Sequence, residues 1–317
     1  METFVVTGGA GFIGSAFIKY MLKKHRDRRI ICFDALTYAA DMSNLSSVMR
    51  DPLFSFIKGD ITAEDDVENL FASYRPSVIV NFAAESHVDR SIESPSLFIK
   101  TNVDGTGALL NASLRHGIRR FHQISTDEVY GDLPLDHPEM RFTELSPLRP
   151  SSPYSASKAA ADLLVLSYHR TYGLDVTVSR CSNNFGPCQN REKLIPKTVW
   201  NAIHDEKIPV YGDGLNVRDW IHTDEHSRAV DQIIERGRSG EVYNIGGNNE
   251  INNITLVKEI LSVLDKPLSL IEYVPDRKGH DRRYAVDPSK IRDELGFEAE
   301  KHSIRDTVLH YANLWKA

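Results

Sequence analysis

Gly8-Gly9-Ala10-Gly11-Phe12-Ile13-Gly14 constrains this chain more than any other segment. It follows the strand-like run Phe4-Val5-Val6-Thr7 directly and opens an amphipathic stretch reaching about Lys24. Glycines at 8, 11 and 14 permit a tight turn and a close backbone approach, and the helix that follows presents free N–H groups and a positive dipole end. Phe12 and Ile13 fall in the same turn, so the segment is expected to cradle a pyrophosphate. Twenty residues after Gly14, Asp34 ends a second strand-like run, where its carboxylate can accept hydrogen bonds from an adenosine ribose. Asp34 would also repel a 2′-phosphate, and Ala35, Leu36 and Thr37 offer no arginine to receive one. NAD is therefore expected, with Ala35, Leu36 and Thr37 beside it. Gly59-Asp60-Ile61 ends the third strand-like run and brings Asp60 and Ile61 near the adenine.

Around this motif the chain alternates β-rich runs with helical patterns: Phe4–Thr7, Ile30–Phe33, Phe54–Lys58, Val78–Phe82, Phe121–Ser125 and Val176–Arg180 read as strands. Such alternation predicts an α/β fold, a Rossmann-like doubly wound parallel sheet covered on both faces, with ligands at the carboxyl ends of the strands. Beyond about residue 180 the rhythm loosens into glycine- and proline-containing loops at Asn183–Gln189, Tyr211–Val217, Gly246–Asn253 and Pro275–Gly279. A smaller α/β substrate-binding lobe is expected there. The 317 residues exceed what one compact core usually holds. They divide into a cofactor domain over 1–180, joined by about 217–240 through the helix-like Asp224–Arg236, and a lobe over 181–317 with a discontinuous boundary. A net charge of -6 supplies no basic field for nucleic acid. Cys32, Cys181 and Cys188 lack paired spacing, and no apolar run approaches membrane-spanning length. The chain is expected to be soluble and cytoplasmic, with reduced thiols.

Two further segments carry the chemistry. Tyr154 and Lys158 lie four apart at a helix start, so they share a face, and an ammonium there favours the phenolate. To act as a base near neutrality the phenol must fall from about 10 towards 7, roughly 4 kcal/mol of differential stabilisation. Spacing alone says little, because Tyr20 and Lys24 have it too; that pair lies deep in the first helix and is expected to be structural. Oxidation of a sugar hydroxyl needs only Tyr154, Lys158 and a hydroxyl such as Thr126. Asp127 and Glu128 add an acid and a base. As helix N-terminal acids they would interact with the macrodipole; as neighbours in different environments they would divide into proton donor and proton acceptor. A ketone at one carbon acidifies the next C–H, so Glu128 could take that proton while Asp127 protonates a departing hydroxyl. Water would then be lost without net oxidation.

With these residues assembled, the chain resembles the extended short-chain dehydrogenase/reductase superfamily, and within it the nucleotide-sugar 4,6-dehydratases that act on dTDP-glucose. The likeness runs from Thr7–Gly14 to Gly279–Tyr284, and Ser125-Thr126-Asp127-Glu128-Val129-Tyr130-Gly131 is its most specific piece. The resemblance implies that Tyr154, with Thr126 and Lys158, takes the C4-hydroxyl proton, that Glu128 removes the C5 proton and that Asp127 helps expel the C6 hydroxyl. It further implies that Ala83, Ala84, Glu85, Ser86, Thr101 and Asn184 touch NAD, with His87, Thr126 and Asn183 near the sugar diphosphate. Lys193, Leu194, Pro209, Val210, Tyr211, Arg218, Asn253, Asp276, Arg277, Gly279 and His280 would enclose the nucleotide diphosphate, and a homodimer would form through the helix bearing Tyr154 and Lys158. Lys278, Phe185, Cys188 and His222 depart from the usual residues at their places. His222 and His226 have the i, i+4 spacing of metal ligands but no accompanying third ligand, so no metal is expected. UDP-glucose dehydration uses the same residues; a nucleotide-sugar 4-epimerase needs Tyr154 and Lys158 but not Asp127 and Glu128. A non-catalytic NAD-binding regulator has no use for any of them.

Overall fold

The structure, a computed structural model, describes residues 1–316. Its first half follows the βα rhythm of the sequence: β1 (Glu2–Thr7), α1 (Phe12–Lys24), β2 (Arg28–Asp34), β3 (Phe54–Lys58), α2 (Glu64–Tyr74) and β4 (Val78–Asn81). Short helices α3 (Val88–Glu93) and α4 (Pro95–Ile99) lead through a π turn into α5 (Gly105–His116), then β5 (Arg120–Thr126), α6 (Pro153–Tyr172) and β6 (Val176–Cys181).

Seven parallel strands form the main sheet in the order β10-β6-β5-β4-β1-β2-β3, with β10 (Glu241–Ile245) at one edge. Residues alternate between the faces of a strand. Phe4, Val6, Ile30 and Cys32 therefore pack with α1, α8 (Thr223–Arg236) and α10 (Ser289–Leu295) on one side. Val5, Ile31 and Ile79 pack with α2, α5 and α6 on the other. The chain runs outward from β1 to β3 and then crosses back to β4, so β1 and β4 part their connections to opposite sides. A crevice opens there, at the carboxyl ends of both strands.

The Tyr20–Lys24 pair is structural. Lys24 donates to the Tyr20 hydroxyl at 2.9 Å and to Asp231 of α8 at 2.7 Å, which ties α1 to α8.

After β6 come β7 (Asn183–Phe185), α7 (Leu194–Ile203), β8 (Ile208–Tyr211) and β9 (Val217–His222); after β10 come β11 (Glu250–Asn252), α9 (Asn253–Val263) and β12 (Ile271–Val274). The chain ends in α10 and α11 (Ile304–Lys316). Two small sheets, β11-β9-β7 and β12-β8, form here. Strands β7 and β11 therefore occupy parts of the stretches 183–189 and 246–253 that look like loops in sequence. Each is only three residues long and is held by pairing with β9, distant in sequence. Phe185, Trp220, Val199, Ile260 and Tyr311 build a separate core beneath them. Among the described residues no helix is long and apolar enough to cross a membrane.

Candidate active site

The glycine turn is shaped by close approach. Gly8 has φ +65°, donates its N–H to Phe33 O at 2.9 Å, and a Cβ on it would lie 2.7 Å from the backbone nitrogen of Ala83. Only glycine lets the ends of β1 and β4 converge there. A Cβ on Gly14 would fall 2.4 Å from Gly8 O. Gly11 caps α1 without a side-chain hydrogen bond, leaving the first-turn N–H groups free for an anion. Asp34 has a second task besides any ribose: one carboxylate oxygen accepts the N–H of Ala10 at 2.9 Å and the other that of Leu36 at 2.8 Å. Burial pushes its carboxyl up against these bonds.

One cavity of about 320 Å³ runs from this turn to the end of β5, within the range of ligand clefts. Its lining takes Gly8, Gly11, Phe12, Ile13 and Gly14 from the first turn, with Asp34, Ala35, Thr37, Asp60 and Ile61 from the next two strand ends. Ala83, Ala84, Glu85, Ser86 and Thr101 follow, then Thr126, Asp127, Glu128, Tyr154, Lys158, Asn183, Asn184 and Lys193. Leu36 is not among the lining: its φ is +55° and its side chain packs against the core of β1, β2 and α1. Several lining residues escaped the sequence, among them Ala39, Ala40, Phe82, Cys181, Gln189 and Glu192. Their only signal is adjacency to Thr37, Ala83, Asn183 and Lys193. Asn102 also escaped, although it is buried and pins the loop after β4 through Glu85 O and N–H, at 3.0 and 2.8 Å, and Ser157 Oγ at 2.8 Å.

At the far end, α6 begins with a capping box in which Ser152 and Ser155 exchange bonds of 3.1 Å. This fixes the turn that carries Tyr154. Lys158 is buried and donates to Ile124 O of β5 at 2.6 Å. Burial pushes its ammonium down, with Asp162 opposing. Burial and the charges of Glu128, Cys181 and Asp127 push the Tyr154 phenol well above its usual value, while hydrogen bonding with Thr126 pulls the other way. The chain's own groups thus resist the phenolate in this structure.

The two acids divide by environment. Asp127 is buried, its Oδ2 has no partner, and burial followed by the neighbouring Glu128 and Asp219 charges raises its carboxyl well above the carboxylate range. Glu128 is half-buried. Burial raises it too, but Arg218, Lys193 and Arg277 pull it back. Both shifts favour the protonated form, Asp127's more strongly, so the pair is graded for proton donation by Asp127 and proton acceptance by Glu128.

The remaining positions do not line this cavity. His87 caps α3 and approaches Glu192 at 3.5 Å, while burial lowers its imidazole. Arg277 pairs with Asp89 at 2.7 Å and overlies the Tyr211 ring. Asp276 and His280 meet at 2.6 Å, Gly279 sits at φ +62°, and Arg218 lies over Tyr284 while donating to Asp281 O. Asn253 starts α9 with its side-chain oxygen buried and unpartnered. Leu194 and Val210 pack into the lobe's core, with Pro209 between neighbours on β8. Lys278 is exposed. His222 stacks on His302, whereas His226 bonds Asn184 at 3.0 Å, so the two histidines serve different partners.

A doubly wound sheet over a glycine turn, with Tyr154 and Lys158 on the helix after β5, defines a short-chain dehydrogenase/reductase of the extended kind. The profile of the GDP-mannose 4,6 dehydratase family matches residues 5–308, and the chain belongs to that family. It is 46% identical to the dTDP-glucose 4,6-dehydratase of Neisseria meningitidis serogroup B, covering 98% of this chain and 93% of that relative. It is 49% identical to the enzyme of the same name from Streptomyces antibioticus, covering 94% and 88%. Among solved structures, the dTDP-glucose 4,6-dehydratase of Streptomyces venezuelae with NAD bound is 44% identical and superposes with a TM-score of 0.93 over 99% of this chain and 97% of that one. The UDP-glucose 4-epimerase of Thermotoga maritima, at 28% identity and a TM-score of 0.89 over 99% and 98%, has the same fold.

Proposed function

We propose that this protein is a hydro-lyase that converts dTDP-glucose to its 4-keto-6-deoxy sugar, with NAD as a resident cofactor. The observation that carries this is the buried Asp127 beside the less strongly shifted Glu128, in one cavity with Tyr154, Lys158 and Thr126. The naming of relatives at 46–49% identity supports the same reaction. The cavity suits a dinucleotide: glycines fill the places where a Cβ would collide, α1 opens an uncapped N-terminus, and Asp34 lies at the ribose end. Bound there, NAD supplies a reversible hydride acceptor that leaves the cycle unchanged.

The chain's own residues handle protons and position. Tyr154 accepts the proton of the C4 hydroxyl, assisted by Thr126, with Lys158 behind it. Glu128, ionised, takes the C5 proton. Asp127, neutral, protonates the C6 oxygen as it leaves as water. Asn183, Lys193, Arg218 and Arg277 provide donors and positive charge for the diphosphate, as phosphate binding requires. His87, Leu194, Pro209, Val210, Tyr211, Asn253, Asp276, Gly279 and His280 shape the nucleotide side.

We assign residues 1–180 and about 217–240 to the cofactor domain, together with β10 and α10, which belong to the main sheet and its core, and the rest of 181–317 to the substrate lobe. The return of α8 onto α1 supports that division. We also infer a homodimer in the cytoplasm. Leu163 and Tyr172 on α6 are about three-fifths exposed and Leu97 on α4 is nearly half exposed, a surface suited to a second copy, and all three cysteines are free thiols. Light scattering should give twice 35.8 kDa; a monomer would remove the dimer.

The reaction is tested by incubating the purified protein with dTDP-glucose, and separately UDP-glucose, in deuterated water and weighing the products. Loss of one water with one deuterium gained is expected for dTDP-glucose. An isomer of unchanged mass would make the protein an epimerase.

A further inference from the structure

Between the oxidising helix and the acid-bearing turn lies a buried polar network that the proposed reaction does not use directly. Asp162 is one helical turn beyond Lys158 on α6 and is fully buried. A single oxygen, Oδ2, accepts Ser125 Oγ of β5 and Arg180 Nε of β6, both at 2.9 Å. Arg180 then donates from Nη1 to the Tyr130 hydroxyl at 3.0 Å, and that hydroxyl donates to Asn244 of β10 at 2.7 Å. Tyr130 closes the 3-10 turn that begins with Asp127 and Glu128. Its ring is held between Arg180 and a stacked Phe142. The chain of contacts therefore starts on the element that carries Tyr154 and Lys158 and finishes on the element that carries the two acids.

We propose that Asp162 and Arg180 are positioning residues that hold the Tyr154–Lys158 helix in register with the Asp127–Glu128 turn, so that both pairs act on one sugar pose. This rests on the dehydration proposed above. Three observations favour it over simple stabilisation. A buried ion pair is a weak source of stability compared with apolar packing, and its best-attested use is to fix one arrangement among several. The pair here is also incompletely satisfied, since Asp162 Oδ1 is buried with no partner. Finally, it binds side chains from four elements at the point where two chemistries meet, with Ser125 Oγ and the Lys158 bond to Ile124 O bracketing the end of β5 from α6. Oxidation at C4 and elimination across C5 and C6 involve adjacent carbons, and a displacement of 1 Å costs on the order of 100-fold in rate.

The test compares wild type, Tyr130→Phe and Asp162→Asn as holoenzymes turning over dTDP-glucose. It records product, the absorbance of reduced nicotinamide in the steady state, and melting temperature. Loosened register should slow elimination more than oxidation. We expect kcat to fall roughly tenfold for Tyr130→Phe and about 100-fold for Asp162→Asn, with KM changed less than about twofold. Reduced nicotinamide should accumulate above the wild-type level in both. A drop in kcat that follows lost stability, without that accumulation, overturns the proposal, as does unchanged turnover. If Asp162→Asn does not fold, Tyr130→Phe decides, because it removes one hydroxyl and keeps the ring packed. Wild type that never loses water from the sugar would overturn the proposed function instead, and this role with it.

Discussion

The adjacent acids show how far one peptide bond can separate two environments. Asp127 is buried with an orphaned oxygen, while the charges of Arg218, Lys193 and Arg277 partly offset the burial of Glu128. Replacing Glu128 with Gln should lower kcat by roughly 10²–10⁴-fold with little change in KM, the usual worth of a general base. Normal turnover by that variant would remove Glu128 from its role. The pH dependence follows from the directions of the shifts. Glu128 must be ionised, so kcat/KM should rise across a limb lying above the ordinary carboxylate range; Asp127 must be neutral, so activity should fall again as pH passes its raised value. A rising limb at the ordinary Glu value of about 4.3 would contradict this. Stability falls with pH over the window that Asp127 sets. Folded Asp127 keeps a proton that the unfolded chain releases, so stability falls as pH climbs from the ordinary Asp value through the raised one. Asp127→Asn should therefore lose activity yet melt higher than wild type at neutral pH, by on the order of a few degrees, with the gap closing in acid.

At the scale of elements, the catalytic groups depend on how α6 and the turn after β5 begin and end. Ser152→Ala removes one half of the capping box and should cost about 1 kcal/mol by chemical denaturation. Because Tyr154 sits in that first turn, kcat should fall as well; an unchanged rate would mean that packing alone holds the turn. Gly131 ends the 3-10 turn at φ +90°, where a Cβ would lie 2.3 Å from Arg149 O. Gly131→Ala should displace Glu128 and cost activity well before it costs cofactor binding, measurable by titrating NAD. Six of the seven main-sheet strands and α1 were legible because β-branched and apolar runs alternate with helical periods; β10, at the sheet edge, was not. Strands β7 and β11 were not, because three residues carry no periodicity and their partner β9 is remote in sequence.

For the whole molecule, the cavity is shared by residues from Gly8 to Lys193, so a ligand there should report on global stability. Stripping the dinucleotide should lower the melting temperature, and restoring NAD at 100 times its Kd should return about 2.7 kcal/mol. A melting temperature indifferent to NAD would argue against a resident cofactor. Arg277 and Lys193 reach from the later part of the chain to Asp89 and Ser86 O beside the loop after β4, so nucleotide-side contacts and the cofactor wall are joined across the site.

The sequence by itself determined the parallel α/β sheet, the glycine turn, and which side chains could carry oxidation and elimination, since these depend on local periodicity, backbone freedom and side-chain chemistry. Tertiary structure alone decided that Asp127 is sequestered while Glu128 meets Arg218, Lys193 and Arg277, that Leu36 faces the core, and that Asp162 and Arg180 link the two catalytic elements. Those outcomes depend on burial and on charges brought together from residues far apart in the chain, which no local pattern records.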